Sequence, residues 1–372
     1  MEKNRIVQSQ NSIHFNGLNG IRAICALAVV ISHSSLSLSL AGIKEGPVFE
    51  MAAYSVTAFF ALSGFLITYL LMEEKNVKGN ISVKFFYIRR LLRIWPLYFG
   101  YMAIALLADM YIFNFNNFSS IGYYLFFFPN IPFSYEMAGM NTIASIYLLG
   151  HFWSLGIEEQ FYAFYPWLIK IFNKLLIVLI SMFILVLIIK LIAKYISYKT
   201  GNPFWYSWAD ETRFDAMALG GIGAWGYKFR LPWVLKLIKP KFIQMLVAIF
   251  ILLLISKSLM IPNSISHILM AGTTVILIFY AHLFEKPIIN LRNKQIDYLG
   301  KISFGIYVYH PLAIGLTGLL FKQTELLPLI KIPAFFITII LFTILMAGLS
   351  FRYYENYFLK LKFKYAIIKN KD

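Results

Sequence analysis

The chain has 372 residues, of which 59% are hydrophobic and 14% are charged, and its mean hydropathy is +0.69. This composition excludes an ordinary soluble globular protein, in which about 25% of residues are charged. The formal net charge of +17 could suggest a nucleic-acid-binding protein. The basic residues fall in short clusters between apolar runs, however, as in the cytoplasmic loops of membrane proteins, so we expect no nucleic-acid partner.

Apolar runs long enough to cross a bilayer recur along the whole chain. They cover residues 20–41, 50–72, 94–112, 153–170, 175–193, 214–228, 243–257, 265–284, 302–320 and 333–350. The sequence therefore predicts an all-α, polytopic membrane protein with about ten transmembrane helices. One further apolar run, residues 121–128, ends at Pro129 and is too short to span easily, which predicts a re-entrant or interfacial segment.

The positions of lysine and arginine predict the orientation in the membrane. With the N-terminus in the cytoplasm, the cytoplasmic segments are all basic; they cover residues 75–93, 170–174, 228–241, 286–301 and 360–371. If residues 121–128 also spanned, several of these segments would move to the outside. Both termini are therefore expected in the cytoplasm. No polar segment is long enough for a second domain, so one membrane-embedded domain is expected over residues 1–372.

Arg22 and His33 are ionisable residues in the first apolar run, where such residues usually mark a functional site. They are eleven positions apart. At about 100° per residue, both side chains project from nearly the same helix face, roughly 16 Å apart along the axis. Arg22 could instead be the ordinary basic flank of a first helix, and His33 a buried, hydrogen-bonded histidine. Their occurrence on one face favours a site.

Arg90 and Arg93 lie three residues apart at the end of the first predicted cytoplasmic loop, just before Trp95 and Pro96. On a helix face, two guanidinium groups at this spacing can hold a phosphate or diphosphate by charge-assisted hydrogen bonds. A cytoplasmic loop also needs basic residues, but at no particular spacing. The pair is therefore a candidate phosphate site.

Glu158 and Glu159 lie at the outer end of the predicted fourth helix, after His151 and Trp153. Adjacent carboxylates repel each other, so one of them could carry a proton or orient a histidine. The alternative is that they point in different directions, one toward solvent, and that the neighbouring aromatic residues are interface anchors.

Arg213 and Asp215 open the predicted sixth helix. They are about 200° apart around its axis, so each should meet a partner on another helix. The glycines that follow at 220, 221 and 223 are expected to permit close helix packing rather than to bind a nucleotide.

Ser303, Tyr307 and His310 share a face of the predicted ninth helix at positions i, i+4 and i+7, and Pro311 follows directly. This stripe is either part of a membrane site or a hydrogen-bonded packing stripe. Cys25 is the single cysteine, which excludes a disulfide framework within the chain. The six histidines are scattered without metal-ligand spacing, so we expect no metal.

Four segments together resemble acyltransferase family 3, the bacterial integral membrane O-acyltransferases that modify surface glycans and some secreted small molecules. They are residues 20–33 with Arg22 and His33, residues 59–67 (FFALSGFLI), the Arg90-x-x-Arg93-x-x-Pro96 segment, and residues 153–162 (WSLGIEEQFY). Weaker matches are residues 213–215 and 302–310. Two departures are Gly156, where many members have serine, and the absence of the proline that often follows the residue equivalent to Glu355.

The resemblance implies a ten-helix acyltransferase domain in the bacterial cytoplasmic (inner) membrane, without a fused extracytoplasmic domain. It implies an enzyme that transfers groups other than amino-acyl groups. The donor would be cytoplasmic acyl-CoA, usually acetyl-CoA. The acceptor would be a hydroxyl of a surface polysaccharide, such as an O-antigen, capsule or exopolysaccharide sugar, lipid-linked or free. In the family, the arginine and histidine of the first-helix motif are needed for activity, and these are Arg22 and His33 here.

These expectations assign roles to the candidate residues. Arg90 and Arg93, assisted by Arg22, would hold the CoA phosphates, and His33 would act as a general base on the acceptor hydroxyl. A transient acyl-histidine is the alternative route. Glu158 or Glu159 would orient the acceptor or a partner histidine. The expected supporting residues are Trp153, Arg213, Asp215, Ser303, Tyr307 and His310. Two other functions remain open, namely acylation of a secreted small molecule and transport of a lipid-linked sugar.

Overall fold

A computed structural model describes residues 12–13, 15, 17–115, 117–140, 142–229, 232–283, 291–366 and 369–370. Most of the described residues are helical. The regular β pairing within this part of the chain is one short parallel contact, between β1 (Ser12–Ile13) and β2 (Lys369–Asn370). It brings the two ends of the described chain together.

Long helices alternate with short ones along the chain. In order they are α1 (Leu18–Leu36), α2 (Ala52–Lys78), α3 (Val83–Ala108), α4 (Ile121–Leu125), α5 (Asn130–Met137), α6 (Trp153–Ile171), α7 (Leu175–Thr200), α8 (Phe204–Glu211), α9 (Phe214–Lys228), α10 (Pro232–Ile238), α11 (Lys241–Ile255), α12 (Asn263–Leu283), α13 (Lys294–Lys301), α14 (Ser303–Lys322), α15 (Pro328–Ser350) and α16 (Asn356–Lys362). Helical turns extend α3 to Phe113 and link α15 to α16.

Seven helices in the described part of the chain are long and apolar enough to cross a membrane, namely α1, α2, α3, α7, α12, α14 and α15. The chain is therefore an all-α, multi-pass membrane protein, as predicted. Each of the ten predicted apolar runs falls on a helix, although α3 begins eleven residues before its run and α7 ends seven residues after its run. Of these, α6, α9 and α11 fall short of the length or hydropathy of a full span, so the number ten stays a prediction.

The segment predicted to be re-entrant or interfacial forms the five-residue helix α4, which is too short to cross a membrane. Its end folds back against the long helices. Tyr98 on α3 donates a hydrogen bond to the Tyr124 carbonyl at 2.8 Å, and Gln160 on α6 donates one to the Phe127 carbonyl at 2.8 Å. The segment is thus held on the bundle without spanning it.

The loop predicted to contain Arg90 and Arg93 is instead helical. The chain turns at Gly79, whose φ of 72° suits glycine, and α3 begins at Val83, so both arginines lie within α3. Hydropathy marks only the apolar part of a helix, and here the helix extends about three turns further toward its basic end. The two guanidinium groups are therefore carried on a rigid element.

Two glycines set the closest contact between helices α2 and α9. A Cβ atom on Gly64 would lie 2.0 Å from the Met217 carbonyl oxygen, and one on Gly220 would lie 2.0 Å from the Ala61 carbonyl oxygen. No side chain fits at either position. The structure therefore confirms that the glycines of the sixth apolar run serve close helix packing.

Candidate active site

A buried cavity lies where α1, α2, α3, α6 and α14 meet, and we call it the central cavity. Its volume is about 100 Å³. Its polar lining residues are Arg22, Ser63, Arg90, Arg93, Ser154, Glu158, Tyr162, Ser303 and Tyr307, and the rest of the wall is mainly aliphatic and phenylalanine side chains. Three of the predicted arginines, one predicted glutamate and two residues of the α14 stripe therefore meet at one place.

Arg22 is fixed at the wall of this cavity by a chain of hydrogen bonds. Its Nη1 donates to Asn19 Oδ1 at 3.0 Å, and Asn19 Nδ2 donates to Asp297 Oδ1 on α13 at 2.9 Å. The Arg22 side chain is only 8% exposed. A buried guanidinium needs such partners, because an unpaired charge in this environment would be costly. The network fixes the orientation of the Arg22 side chain at the cavity wall.

Glu158 lies beside the arginines, although the sequence analysis placed it at the outer end of its helix. It lines the central cavity together with Arg90 and Arg93. Ser63 Oγ on α2 donates a hydrogen bond to Glu158 Oε1 at 2.5 Å. Because α6 begins at Trp153, Glu158 lies roughly 7.5 Å along the helix axis from its first residue. Glu158 and the arginines thus line the same cavity, a neighbourhood that the sequence did not predict.

Glu159 points away from Glu158. Its Oε2 accepts a hydrogen bond from Trp95 Nε1 at 3.4 Å. Glu159 also lines a separate groove together with Tyr87 and residues 126–128, which follow α4. This matches the alternative left open by the sequence, in which the two carboxylates face different directions. Of the two, Glu158 is the one in the described wall of the central cavity.

A second cavity of about 50 Å³ adjoins the first, and we call it the basic mouth. Its charged lining residues are Glu74, Arg89, Arg90, Arg93 and Lys362. Arg90 and Arg93 line both cavities. Glu74 forms a 2.9 Å ion pair with Arg89, which leaves a net positive surface at this end of the bundle.

Sequence reasoning missed several residues of these two cavities. Ser63 lies within the 59–67 segment, but a single serine in an apolar helix gave no signal of a role. Lys362 and Arg89 are single members of basic clusters, so their charge signalled only a cytoplasmic segment. Their place in the basic mouth follows from the packing of α16 against α3, which no local pattern shows.

Three histidines that are far apart in sequence come together beyond Tyr307, and we call them the histidine cluster. His33 Nδ1 lies 2.8 Å from His310 Nε2, and the two rings meet edge to edge, with centroids 5.0 Å apart and ring planes inclined by 27°. His151 packs edge-on against His310, with centroids 5.1 Å apart. The histidines are therefore scattered only in sequence, because α1, α14 and the turn before α6 converge here.

Tyr307 lies between the central cavity and the histidine cluster. Its hydroxyl is 2.5 Å from Ser154 Oγ and donates to the His151 carbonyl at 2.7 Å. His33 is not among the described lining residues of the central cavity; it lies on the far side of Tyr307. The predicted stripe of Ser303, Tyr307 and His310 thus leads along α14 from the cavity to His33.

Three predicted supporting residues lie apart from both cavities. Asp215 forms a buried ion pair with Lys190 on α7 at 2.8 Å, and Arg213 donates a hydrogen bond to the Asp210 carbonyl on α8. Each therefore has a partner on another helix, as predicted. Trp153 stacks on Phe133 with centroids 5.1 Å apart. The described contacts of these residues support packing.

The fold and the site define a multi-pass membrane protein. Its interior contains a cluster of arginines, a buried carboxylate and a histidine pair, which adjoin one another within the bundle. The sequence profile of acyltransferase family 3, described as an acyltransferase domain, matches residues 15–349. The chain therefore belongs to this family.

Individual relatives support the same assignment at low identity. The chain is 27% identical to "Putative O-acetyltransferase SACOL0978" of Staphylococcus aureus (strain COL), over 92% of this chain and 57% of the relative. It is 26% identical to O-acetyltransferase OatA of Staphylococcus aureus (strain NCTC 8325 / PS 47), over 97% of this chain and 60% of the relative. The chain thus spans about three fifths of the length of these relatives. No solved structure matches it.

Proposed function

We propose that the chain transfers an acetyl group from acetyl-CoA to a hydroxyl of a surface polysaccharide. One observation carries this proposal: the basic mouth, the central cavity and the histidine cluster adjoin one another in that order. This order provides a place for an anionic donor, a place for its acyl end, and a base beyond it. The names of the two relatives support O-acetyl transfer as the reaction.

The basic mouth suits the phosphate groups of CoA. Arg89, Arg90, Arg93 and Lys362 face a single carboxylate, Glu74, which is already paired with Arg89. Guanidinium groups bind phosphate oxygens through paired, charge-assisted hydrogen bonds. In our proposal this end of the bundle and both termini face the cytoplasm of a bacterial cell, across its inner membrane, because acyl-CoA is available there.

The central cavity has room for a short acyl group. Its volume of about 100 Å³ exceeds the roughly 10–15 Å³ that one water molecule needs. An acetyl group fits this space, and the choice of acetyl over a longer chain rests on the names of the relatives. Arg22, at the cavity wall, would bind the donor rather than the reacting carbon, because it lies roughly 16 Å along α1 from His33.

His33 would act as the general base. The proton of the acceptor hydroxyl would pass to the imidazole while the hydroxyl oxygen attacks the thioester carbonyl. The carbon–sulfur bond then breaks, and the CoA thiolate takes the proton from His33 as it leaves. Tyr307 marks the boundary at which donor and acceptor must meet, since it contacts both the cavity and the histidine cluster.

The direct test is mass spectrometry of surface glycans from cells with and without the protein. We expect ester-linked acetate only when the protein is present, and isotope from labelled acetyl-CoA should appear in that acetate. If the protein instead moved a lipid-linked sugar across the membrane with no acyl donor, the proposal would be wrong and the transporter reading would replace it. Acetate found on a secreted small molecule would change the acceptor but not the reaction.

Donor binding tests the basic mouth separately. Replacing Arg90 and Arg93 together by alanine should weaken binding of CoA to the purified protein at least tenfold, because each charge-assisted hydrogen bond contributes about 1.5–3 kcal/mol. Lys362→Met should have a smaller effect in the same direction. The matched control is Arg352→Ala, since Arg352 is exposed and rests over the Tyr353 ring. Unchanged CoA affinity in the double variant would remove the pair from donor binding.

A further inference from the structure

His310 is held between a backbone carbonyl and His33. It is fully buried, with 0% of its surface exposed. Its Nδ1 lies 2.6 Å from the Tyr307 carbonyl oxygen, and its Nε2 lies 2.8 Å from His33 Nδ1. Both ring nitrogens are therefore at hydrogen-bond distance from a partner. The Tyr307 carbonyl oxygen can only accept a hydrogen bond, whereas His33 Nδ1 can donate or accept one.

Pro311 explains why the Tyr307 carbonyl is available. In an α-helix, the carbonyl of a residue accepts from the N–H four positions later, which for Tyr307 is position 311. Proline has no N–H, so this helical hydrogen bond cannot form. The His310 side chain, on the residue before the proline, takes the vacant acceptor. The dipeptide His310-Pro311 thus creates the contact locally.

The direction of each hydrogen bond follows from this arrangement. A carbonyl oxygen can only accept, so His310 Nδ1 must carry the hydrogen. A neutral imidazole has one donor and one acceptor nitrogen, so His310 Nε2 has the lone pair. It can then only accept from His33, whose Nδ1 must be the donor. The lone pair of a neutral His33 is consequently on Nε2.

We propose that His310 is a positioning residue that fixes His33 in the Nδ1–H tautomer, so that Nε2 of His33 is the atom that takes the acceptor's proton. The inference rests on the proposed function. When the hydroxyl proton reaches Nε2, the ring becomes an imidazolium, and its Nδ1–H still donates to His310 Nε2. The contact therefore persists through proton uptake and through proton return to the CoA thiolate.

The tautomer can be measured directly on the intact protein. Nitrogen-15 NMR of protein labelled with ¹⁵N-histidine in lipid nanodiscs separates protonated from unprotonated ring nitrogens. A His33→Gln variant identifies the signals of His33 by their loss. We expect neutral His33 to be protonated on Nδ1 and unprotonated on Nε2. The opposite tautomer in the native protein would overturn the inference, whatever the variants do.

Two substitutions of His310 separate positioning from packing. In His310→Gln the side-chain oxygen reaches about the position of Nε2 and can still accept from His33, whereas the shorter side chain of His310→Asn cannot reach it. We expect His310→Gln to keep transfer from acetyl-CoA within about tenfold of the native rate. His310→Asn should lose most of the general-base contribution, about 10²–10⁴-fold. Equal rates in the native protein and His310→Asn would contradict the inference.

Pro311→Ala tests the same contact without altering either histidine. The restored N–H at position 311 competes for the Tyr307 carbonyl, so we expect a mixed His33 tautomer and a slower transfer rate with unchanged CoA binding. A native rate and an unchanged tautomer in this variant would show that Pro311 has no such part. If the native protein transferred no acetate, the proposed function would fail. If His33→Ala transferred acetate normally, His33 would not be the base, and this inference would fail while acetyl transfer stood. If only the His310 and Pro311 variants behaved as native, this inference alone would fail.

Discussion

Replacing His33 by alanine is expected to abolish acyl transfer while the protein stays folded and still binds CoA. The proposed reaction needs a base at the acceptor hydroxyl, and removal of a general base typically lowers a rate by about 10²–10⁴-fold. His33 is only half-buried and has one described side-chain hydrogen bond, to His310, so its loss should disturb the bundle little. The measurements are the initial rate of CoA release from acetyl-CoA, the O-acetyl content of surface glycans, and CoA affinity.

The matched control for this prediction is His282→Gln on α12. The His282 ring packs against Phe15 and Tyr227, with centroids 5.1 and 5.7 Å away, and belongs to neither cavity nor the described histidine cluster. We expect this variant to keep the native rate of CoA release. Retention of full transfer by His33→Ala, at normal abundance, would exclude His33 from the chemistry.

Local periodicity was enough to predict the parts of the site that lie on one helix. Arg22 and His33 share a face of α1 because of their spacing alone. The stripe of Ser303, Tyr307 and His310 on α14 likewise follows from spacing alone. The structure shows that these two faces belong together, since His33 contacts His310. The apolar runs likewise predicted the long helices, because each run is a property of a short segment.

The remainder of the site depends on how helices pack against one another, which no short segment determines. His33 and His310 are 277 positions apart, and Ser63 and Glu158 are 95 apart. That Glu158 faces the arginines could not be predicted, because hydropathy gives the extent of an apolar run but not its rotation or its neighbours. The inclusion of Lys362 in the basic mouth required the same long-range information, since α16 must return to α3.

Removal of the Lys190 charge is expected to have the largest effect on stability. Lys190 and Asp215 form a 2.8 Å ion pair with side chains 5% and 3% exposed, so Lys190→Met leaves an uncompensated buried carboxylate. Breaking such a pair from one side costs about 3–5 kcal/mol, whereas replacing both partners by apolar residues is often neutral. We therefore expect Lys190→Met to lose monodisperse protein in fluorescence-detected size-exclusion chromatography, and Lys190→Met with Asp215→Leu to regain it.

The control is Lys199→Met, which replaces an exposed lysine on the same helix and should behave as the native protein does. A Lys190→Met protein as stable as the native one would show that the pair adds no net stability, and failure of the double variant to recover would mean that Asp215 has a further partner that requires its charge.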